Sequence, residues 1–557
     1  MKYNRRNFIT FLGKASLGAM VVPPFLVNCG STSTPIEVDA SPEDTMTRLQ
    51  KLTLEGLAPS NKDDLLLTKG LDYHTIIKWG DKISKKDTFG FNNDFTCFIP
   101  LDKNNPKDGL LWVNHEYVDP LFVSKFNYRD YENPMDHRTK AQVDKEMYDV
   151  GGSIVRIREE NGIWKVVKND PHNIRITAQT PIKLNWDQPI KGASTAIGTL
   201  SNCSGGITPW NTFLTCEENY DSFWGETVYD KDNQPSQQPG NYGWEAFYNY
   251  PTEHYGWVVE VNPKDGSAQK HIALGRFAHE CCTIYELQDK RVVAYTGDDR
   301  NDEHLYKFIS SKPGSLKEGT LYVADTINGK WLSMDWESQP VLKEKFKDQT
   351  EVLIRSREAA KLLGATPLNR PEDIEIDPVT GNIFVSLTNN VRRKDYHGSI
   401  LKIEETDGAF DALSFKASTF KAGGEENGFS CPDNLAFDMA GNMWMTSDMS
   451  GSVMNKKEPY VSFKNNSLFV IPRYGKDAGK VIRVASAPND AELTGPWFSP
   501  DGKTLFLSVQ HPGEQTTDIK KPTSKWPFDK DGIPKPAVVA ITGDLIEKMN
   551  KLNLIER

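Results

Sequence analysis

The chain has 557 residues, of which 25% are charged and 10% aromatic, a composition typical of a soluble globular protein with ample material for a large core. Its formal net charge is -10, and no basic stripe stands out, which argues against a nucleic-acid-binding protein. The same negative charge would repel a phosphate-bearing ligand unless metal ions reversed its sign locally.

The N-terminus has the pattern of a targeting segment rather than of a folded element. Arg5 and Arg6 precede a weakly apolar run from Phe11 to Val27, and this arrangement resembles a twin-arginine export signal. The apolar run is too short and too interrupted to form a stable membrane span. We therefore predict an export signal over residues 1–30, with an ordinary general secretory signal as the alternative.

A lipid anchor is a further prediction for this segment. Leu26-Val27-Asn28-Cys29 resembles a lipoprotein cleavage box, which makes Cys29 a candidate for lipid attachment. The polar residues that follow predict a tether over residues 31–60 and a folded domain over residues 61–557. The protein would then be either free in the periplasm or a lipoprotein of the outer membrane or cell surface.

Short strand-like runs of alternating Val, Ile, Phe, Tyr and Trp dominate the rest of the chain and predict an all-β protein. Six predicted hairpins share a polar opening, and they begin near residues 93, 203, 280, 372, 433 and 495. The last three openings are about 60 residues apart, a spacing typical of propeller blades. We predict a six-bladed β-propeller in which each hairpin supplies the two inner strands of a blade. A β-sandwich would explain the turns but not the repeated opening.

Inserted loops and a few peripheral helices interrupt the predicted blades. Residues 118–150 and 221–257 are insertions, which would either form a wall or lid beside the channel mouth or decorate the surface. The best helix candidate runs from Thr350 to Leu363, with Thr350 as its N-cap and Gly364 at its C-terminal end. We expect this helix to pack on the rim of the propeller.

Side chains at matched positions of a radial repeat should converge on its axis. Four openings carry a strong metal donor, and Asn93 or Asp94 could serve at a fifth, whereas Gly495-Pro496-Trp497 offers none at the sixth. The four donors are Cys203, Glu280, Glu372 and Asp433. The second strands end in further candidates, namely Glu116, Glu217 or Glu218, Asp298 or Asp299, and Asp448.

Converging carboxylates repel one another unless a cation lies among them, so this pattern predicts a metal site. Carboxylate and amide oxygens favour hard cations such as calcium, magnesium, manganese or ferric iron, and the thiolate of Cys203 favours a transition metal in at least one position. The alternatives are that Cys203 is a small buried residue and that the carboxylates cap strand ends. Arg370 could hold an anionic substrate bidentately, or it could form a salt bridge to the clustered carboxylates.

Several motifs together resemble those of the PhoX alkaline phosphatases, and the resemblance runs along essentially the whole chain. The motifs are Asn92-Asn93-Asp94-Phe95, Val113-Asn114-His115-Glu116-Tyr117, Asn202-Cys203-Ser204-Gly205-Gly206, Leu214-Thr215-Cys216-Glu217-Glu218-Asn219, Gly275-Arg276-Phe277-Ala278-His279-Glu280, Asn369-Arg370-Pro371-Glu372-Asp373 and Cys431-Pro432-Asp433-Asn434. The resemblance implies a monomeric six-bladed propeller, exported by the twin-arginine route, that hydrolyses phosphomonoesters.

The resemblance also implies a cofactor and roles for individual residues. The cofactor is a cluster of two ferric irons and three calcium ions joined by an oxo group. Cys203 would bridge the irons and Glu280 would bind iron. Glu218, Glu372 and Asp433 would complete the cluster on the calcium side, with Glu116 as a further ligand, and Arg370 would bind the phosphate. The catalytic residues implied in this way are Arg370, Cys203 and Glu280.

Two other functions are compatible with a propeller that carries this pattern. A calcium-dependent propeller lactonase would hold a single ion and would not need Cys203. A non-catalytic binding propeller would use calcium only structurally. The expected partners of the phosphatase are small phosphomonoester substrates.

Overall fold

The computed structural model describes residues 54–551. The predicted export signal, Cys29 and most of the predicted tether therefore lie outside the described residues. None of the helices within residues 54–551 has the length and apolar character needed to span a bilayer.

Six sheets form the body of the protein, and all their strand pairs are antiparallel except that of β8 with β15. The first strands of the described chain are β1 (Leu66–Leu67) and β2 (Asp72–Lys78). Blade 1 contains β3 (Asn93–Asp102), β4 (Asn105–His115), β5 (Gly151–Glu160), β6 (Ile163–Val166) and β7 (Ile174–Ile176). Blade 2 contains β8 (Pro181–Leu184), β9 (Thr195–Ile197), β10 (Asn202–Ile207), β11 (Phe213–Glu217), β14 (Val258–Val261) and β15 (Ala268–His271), and the ribbon β12 (Glu226–Tyr229) and β13 (Pro235–Gln238) is inserted in it.

Blade 3 contains β16 (Thr283–Glu286), β17 (Val292–Gly297), β19 (Leu305–Ser310), β20 (Gly319–Asp325) and β21 (Lys330–Ser333), and β18 (Asn301–Glu303) pairs with β22 (Leu368–Asn369) outside it. Blade 4 contains β23 (Pro371–Ile376), β24 (Ile383–Leu387), β25 (Ser399–Glu405) and β26 (Phe415–Ala422). Blade 5 contains β27 (Pro432–Phe437), β28 (Met443–Ser447), β29 (Ser467–Ile471) and β30 (Ile482–Ser486). Blade 6 contains β31 (Glu492–Phe498), β32 (Leu505–Gln510) and β33 (Ala537–Thr542).

The blades are arranged in a closed ring around a central channel. Each innermost strand contacts the innermost strands of the two neighbouring blades, and β31 of blade 6 contacts β3 of blade 1. The innermost strands are β3, β10, β16, β23, β27 and β31. Strands such as β24 and β28 are buried along their whole length, because each blade packs against a neighbour on both faces. The predicted six-bladed propeller is confirmed, and each predicted hairpin supplies the two inner strands of a blade.

The ring is closed by strands from the two ends of the described chain. β2 forms the outer strand of blade 6, where it pairs with β33 in an antiparallel register that sets Asp72 opposite Thr542. β1 adds a short strand to the outer edge of blade 5 by pairing with β30. Ile77 of β2 is only 1% exposed and packs in the apolar cluster between blades 6 and 1.

Short helices lie outside the blades. The α-helices are α1 (Pro120–Val123), α2 (Lys140–Asp149), α3 (Asp221–Trp224), α4 (Pro340–Lys345), α5 (Gln349–Ile354), α6 (Ser356–Leu363) and α7 (Asp544–Lys551). The 3-10 helices are Tyr128–Asp130, Pro134–His137, Trp244–Ala246, Thr252–His254, Ile272–Leu274, Val391–Arg393 and Thr406–Gly408.

The helix predicted from Thr350 to Leu363 is two helices, α5 and α6, that meet at Arg355. The backbone of Arg355 leaves the helical region, and the carbonyl of Leu353 accepts a hydrogen bond from the backbone N–H of Arg276 instead of continuing the helix. The N-cap prediction was wrong: Asp348 caps α5, whereas the Thr350 hydroxyl accepts a hydrogen bond from Trp186. Gly364 ends α6 in the left-handed conformation, as predicted.

The two predicted insertions pack against each other beside one end of the channel. A shared apolar cluster joins Phe122 and Met147 of the first insertion to Trp224 and Trp244 of the second. At its centre the guanidinium of Arg138 donates to both carboxylate oxygens of Glu146, and one of these oxygens also accepts from the indole of Trp244 at 3.0 Å. The insertions therefore form a wall rather than a loose surface decoration.

Candidate active site

A β-bulge positions the predicted donor in most blades. In blade 1, Asn93 pairs with His115 and the next pair is Thr96 with Val113, so Asp94 follows the paired residue and lies outside the ladder. Such a bulge redirects a side chain away from the sheet faces. The equivalent residues are Cys203 in blade 2, Glu372 in blade 4 and Asp433 in blade 5. In blade 3 an isolated bridge joins His279 to Asp298, and Glu280 follows it. We call Asp94, Cys203, Glu280, Glu372 and Asp433 the bulge donors.

The backbone just before the bulge repeats as well. In four blades the residue before the paired one has a positive φ of 51° to 54°, a conformation that is uncommon outside glycine. These residues are Asn92, Ser201, Arg370 and Cys431. Their carbonyl oxygens accept the backbone N–H of the residue that follows the second strand, at 2.9 to 3.1 Å. This link places the end of the second strand beside the bulge donor.

Four carboxylates occupy this second position. Their backbone N–H groups donate to the carbonyls of Asn92, Ser201, Ala278 and Cys431. We call Glu116, Glu218, Asp299 and Asp448 the strand-end carboxylates. In blade 4 the same position is Thr388, and there Arg370 supplies a guanidinium instead. The sequence alternatives are thereby resolved: Glu217 pairs with Lys270 and Asp298 with Arg357, away from the channel.

All seven predicted site residues line one cavity of about 120 Å³ at the end of the channel. They are Glu116, Cys203, Glu218, Glu280, Arg370, Glu372 and Asp433. Asp94, Asp299, Asp448 and Glu492 line it too. Tyr117 and Asn219, which lie next to the two insertions in sequence, complete one side of the cavity. The site is therefore a small, strongly acidic chamber that contains one arginine.

Cys203 lies at the centre of the donor cluster. Its Sγ is 3.2 Å from Asp94 Oδ2 and 3.2 Å from Glu280 Oε1. Ligand atoms of Asp94, Glu116 and Cys203 all lie within 4.8 Å of one another, and the same is true of Cys203, Glu218 and Glu280. Because the thiol belongs to both groups, a thiolate at Cys203 could contact metal ions on two sides.

The buried carboxylates of the chamber repel one another, and most of them have a raised pKa. Burial, followed by repulsion from neighbouring carboxylates, raises the pKa of Glu218 and Glu280 well above its usual range. Burial likewise raises the pKa of Glu116 to about 8 and that of Asp433 to about 7. Burial also raises the pKa of the Cys203 thiol.

Two buried carboxylate oxygens in the chamber, Asp94 Oδ1 and Glu372 Oε2, have no hydrogen-bond partner among the described residues. An unpaired buried carboxylate is costly, whereas metal ions would bind the ionised form of these groups. The donor set of many carboxylate oxygens and one sulfur fits hard cations together with a transition metal such as iron.

Arg370 is the cationic group at the edge of the chamber. Its Nε and Nη2 donate to the two oxygens of Asp299, each at 2.9 Å, and Nη2 lies 2.5 Å from Glu372 Oε1. Asp448 Oδ2 is 3.3 Å away. Burial opposes the charge, but these carboxylates outweigh it and raise the pKa of Arg370 well above its usual range. The salt bridges expected as one alternative are present, and the guanidinium also lines the cavity, where an anion could contact it.

The sixth blade contributes a donor that the sequence analysis missed. The bulge position there is Gly495, with a φ of 55°, and a Cβ on it would lie 2.5 Å from the backbone nitrogen of Thr96. The opening Gly495-Pro496-Trp497 offers no donor, as expected, but β31 begins earlier, at Glu492, which pairs with Gln510 and lines the cavity. The Gln510 amide donates to Glu116 Oε2 at 2.7 Å. The only sign of Glu492 in the sequence is that the strand β31 starts three residues before Gly495, the residue that aligns with the openings of the other blades.

A β-propeller with clustered acidic and thiol donors and an arginine at its hub has the features of a metal-binding protein that can contact an anion, and the comparisons with known proteins specify its class. The family model described as "Alkaline phosphatase PhoX" matches residues 52–513. The chain belongs to the PhoX alkaline phosphatase family and is a phosphomonoester hydrolase. The predicted family and enzyme class are thus confirmed.

One of the solved structures compared with the chain supports this assignment. PhoX of Pseudomonas fluorescens, solved in complex with vanadate as a transition state analogue, is 29% identical, with 88% of this chain and 97% of that chain covered and a TM-score of 0.77. A Dyadobacter fermentans protein of unknown function is 10% identical, with 86% and 100% covered and a TM-score of 0.39. The periplasmic gluconolactonase PpgL of Pseudomonas aeruginosa is 10% identical, with 64% of this chain and 71% of that chain covered and a TM-score of 0.29. This similarity is too low to support the lactonase alternative. No curated protein matches the chain.

Proposed function

We propose that this alkaline phosphatase works with a bound cluster of iron and calcium ions, two ferric irons and three calcium ions, held in the chamber at the end of the channel. The ligands in this proposal are Glu116, Cys203, Glu218, Glu280, Glu372 and Asp433, with Cys203 between the irons and Glu280 on iron. The observation that carries the proposal is the position of the Cys203 thiol, which belongs to two groups of potential ligands at once. Bound metal ions would neutralise the phosphoryl oxygens and stabilise the departing oxygen.

Arg370 is the phosphate-binding residue in this proposal. Its planar guanidinium suits two parallel hydrogen bonds to phosphoryl oxygens. Asp299 holds Nε and Nη2 from one side, which fixes the orientation of the plane. The Pseudomonas fluorescens relative was solved in complex with vanadate, a transition state analogue, which supports phosphoryl transfer as the chemistry of this chain. Arg370 would then add to the stabilisation of the charge that develops on the transferred group.

Elemental analysis combined with a phosphomonoester assay tests the cluster. We expect purified protein to contain both iron and calcium, and chelation to abolish hydrolysis until the metals are restored. Calcium alone would contradict the iron–calcium cluster, and full turnover by protein verified as metal-free would contradict metal dependence altogether.

Replacement of Cys203 by alanine tests the bridging position. We expect Cys203→Ala to lose iron and activity while the β-sheet circular dichroism remains. Cys97→Ala is the matched control, because Cys97 is also a buried thiol of an innermost strand but does not line the chamber. Retention of full iron in Cys203→Ala would show that another residue holds the metal.

We further propose that residues 1–30 direct export by the twin-arginine route, that Cys29 carries a lipid and that the folded domain is a monomer. The paired Arg5 and Arg6 and the sequence before Cys29 support the first two points. Replacing both arginines by lysine should retain the protein in the cytoplasm, and Cys29→Ala should abolish labelling by a radioactive fatty acid.

Sedimentation of the metal-loaded protein tests the proposed monomer, and we expect the mass of a single chain.

A further inference from the structure

Two consecutive aspartates directly follow β17, and each binds an arginine through both of its carboxylate oxygens. Asp299 accepts from Nε and Nη2 of Arg370, each at 2.9 Å. Asp298 accepts from Nε of Arg357 at 2.7 Å and from its Nη2 at 2.6 Å. Arg370 and Asp299 line the chamber, whereas Asp298 and Arg357 do not. The second ion pair is therefore next to the first in the chain but lies outside the chamber.

The segment that contains the two aspartates also supports the backbone of Arg370. β18, which begins two residues after Asp299, pairs with β22, whose last residue, Asn369, directly precedes Arg370. The backbone N–H of Asp299 donates to the carbonyl of Ala278 at 3.0 Å, and the backbone N–H of Ala278 donates to Asp298 Oδ1 at 3.2 Å. One segment thus holds Arg370 at its backbone, through β18, and at its guanidinium, through Asp299.

Asp299 is the carboxylate that fixes the plane of the Arg370 guanidinium. Glu372 also contacts Arg370, but it is one of the proposed metal ligands, so a bound cation would compete for its oxygens. Asp448 lies 3.3 Å from the guanidinium and uses a single oxygen. Asp299 is not a proposed ligand, and it makes two parallel hydrogen bonds, the geometry that orients a guanidinium best. The orientation of Arg370 in the metal-loaded protein therefore depends on the position of Asp299.

Arg357 fixes this position from α6, outside the blades. Asp298 is fully buried, and Arg357 forms its only salt bridge within residues 54–551. Loss of that guanidinium would leave a buried carboxylate without its cation, so Asp298 and the adjoining Asp299 would shift.

We propose that Arg357 is a positioning residue for phosphate binding. Through Asp298 it holds Asp299, and with it Arg370, in the orientation that contacts the phosphoryl group. A misplacement of about 1 Å at a reacting centre, caused by a change far from it, can cost about 10²-fold in rate. The inference rests on the role proposed for Arg370.

Inhibition by vanadate separates positioning from a merely structural role. Arg357→Lys keeps the charge but cannot form two parallel hydrogen bonds. We expect kcat/KM for 4-nitrophenyl phosphate to fall about 10- to 10²-fold, and the inhibition constant of vanadate, a transition state analogue, to rise by the same factor. A structural role would reduce only the amount of active enzyme, which lowers kcat but leaves KM and the inhibition constant unchanged. Because the inhibition constant reports on the folded, active molecules, partial unfolding of the variant does not obscure the result.

A double-mutant cycle tests the route through Arg370. In an Arg370→Ala background, Arg357→Lys should cause no further loss, because the guanidinium that it positions is absent. Lys361→Ala is the matched control, since Lys361 lies one turn further along α6 and binds Glu303 rather than Asp298.

An unchanged inhibition constant in Arg357→Lys would overturn the proposal. Losses that multiply in the double variant, or an equal loss in Lys361→Ala, would overturn it as well. Full activity of the single variant Arg370→Ala would refute the proposed phosphate-binding role itself, and that result is obtained independently of any change at Arg357.

Discussion

At the scale of single residues, the same backbone position recurs in five blades, but it carries different side chains. The bulge donors share the same local structure yet comprise two aspartates, two glutamates and a cysteine. Two unit charges 4 Å apart interact by about 4 kcal/mol at an effective dielectric constant of 20. Repulsion of this size between several buried carboxylates exceeds what single hydrogen bonds return, about 1 kcal/mol each. The chamber is therefore built to bind cations rather than to stabilise the fold.

The role of Arg370 gives a prediction at this scale. We expect Arg370→Ala to lower kcat/KM for a phosphomonoester by about 10²- to 10³-fold, as for loss of one preorganised transition-state donor. Arg370→Lys should recover little of this loss, because an ammonium cannot form two parallel hydrogen bonds. Steady-state kinetics on metal-loaded protein would measure both. Arg393→Ala, at a surface arginine of the same blade, is the control, and full activity of Arg370→Lys would argue for charge alone.

At the scale of elements, the bulges and the hydrogen bonds between blades position the donors. The residue after a bulge donor can accept a hydrogen bond from the next blade. The side chain of Asp373 accepts the backbone N–H of Leu435 at 2.8 Å, and that of Asn434 accepts the backbone N–H of Gly495 at 2.7 Å. These side chains tie the bulge of one blade to that of its neighbour. The spacing between donors is consequently set by inter-blade hydrogen bonds as well as by the strands themselves.

Gly495 lies at the contact between blades 6 and 1, and a substitution there should be severe. In Gly495→Ala the Cβ would lie 2.5 Å from Thr96 N and 2.6 Å from Phe95 Cα, so the blades must separate next to Asp94. We expect a loss of about 2–4 kcal/mol in the free energy of unfolding, beyond the ordinary cost of a positive φ. Gly532→Ala isolates that ordinary cost, because its φ is 66° and nothing lies within 4 Å of the added atom. Equal unfolding midpoints in urea for the two variants would contradict the steric argument.

The carboxylate of Glu260 in β14 provides a test of pH dependence. Burial opposes its ionisation, but hydrogen bonds from His271, Thr212 and Trp210 outweigh it and lower the pKa of Glu260 from 4.5 to about 2. A lowered folded pKa stabilises the fold above pH 4.5, and this stabilisation is lost as the pH falls towards 2. Glu260→Gln should lower the free energy of unfolding by about 3 kcal/mol at neutral pH. This difference from wild type should disappear as the pH falls from 4.5 towards 2. Glu337→Gln, at a side chain that is 74% exposed, is the control for urea titrations at each pH; a gap independent of pH would contradict the assignment.

The elements also show how far the sequence alone predicts this protein. Turns and alternating strands identify the six hairpins, and the recurrence of Glu372 and Asp433 at one repeat position identifies their convergence. Glu492 was not predicted as a donor, because the repeat aligns Gly495 with the other bulges and Glu492 lies in an extension of β31. The break between α5 and α6 at Arg355 was not predicted either, because it involves a hydrogen bond from the distant backbone of Arg276 to Leu353. Local patterns predict what one blade does, and they miss what a neighbouring segment imposes.

At the scale of the whole molecule, the propeller is stable as a ring and not as six separate sheets. Blade 6 takes three strands from one end of the described chain and its fourth, β2, from the other. The apolar cluster that contains Ile77 also includes Phe98 and Trp164 of blade 1 and Phe506 of blade 6. Closure thus buries one face of β2 between two blades that are far apart in sequence.

A cavity in this cluster should weaken the entire ring. We expect Ile77→Ala to lower the free energy of unfolding by about 2–5 kcal/mol, as for other large-to-small changes in a core. Because blades 6 and 1 both contribute to the chamber, hydrolysis and the tryptophan fluorescence of the fold should be lost at the same temperature. Ile163→Ala, at a residue that is 42% exposed on an outer strand, is the control. Two separate transitions in Ile77→Ala would show that the blades unfold independently.

The pairing of β2 with β33 has a further consequence for how the protein is made. On the ribosome, residues 72–78 emerge long before residues 537–542 have been synthesised. Until residues 537–542 have been made, the nascent chain holds an edge strand without its partner, and blade 6 cannot form. A chain that stops before residue 537 would leave the chamber open on one side, so competence for catalysis is acquired only after β33 has been synthesised.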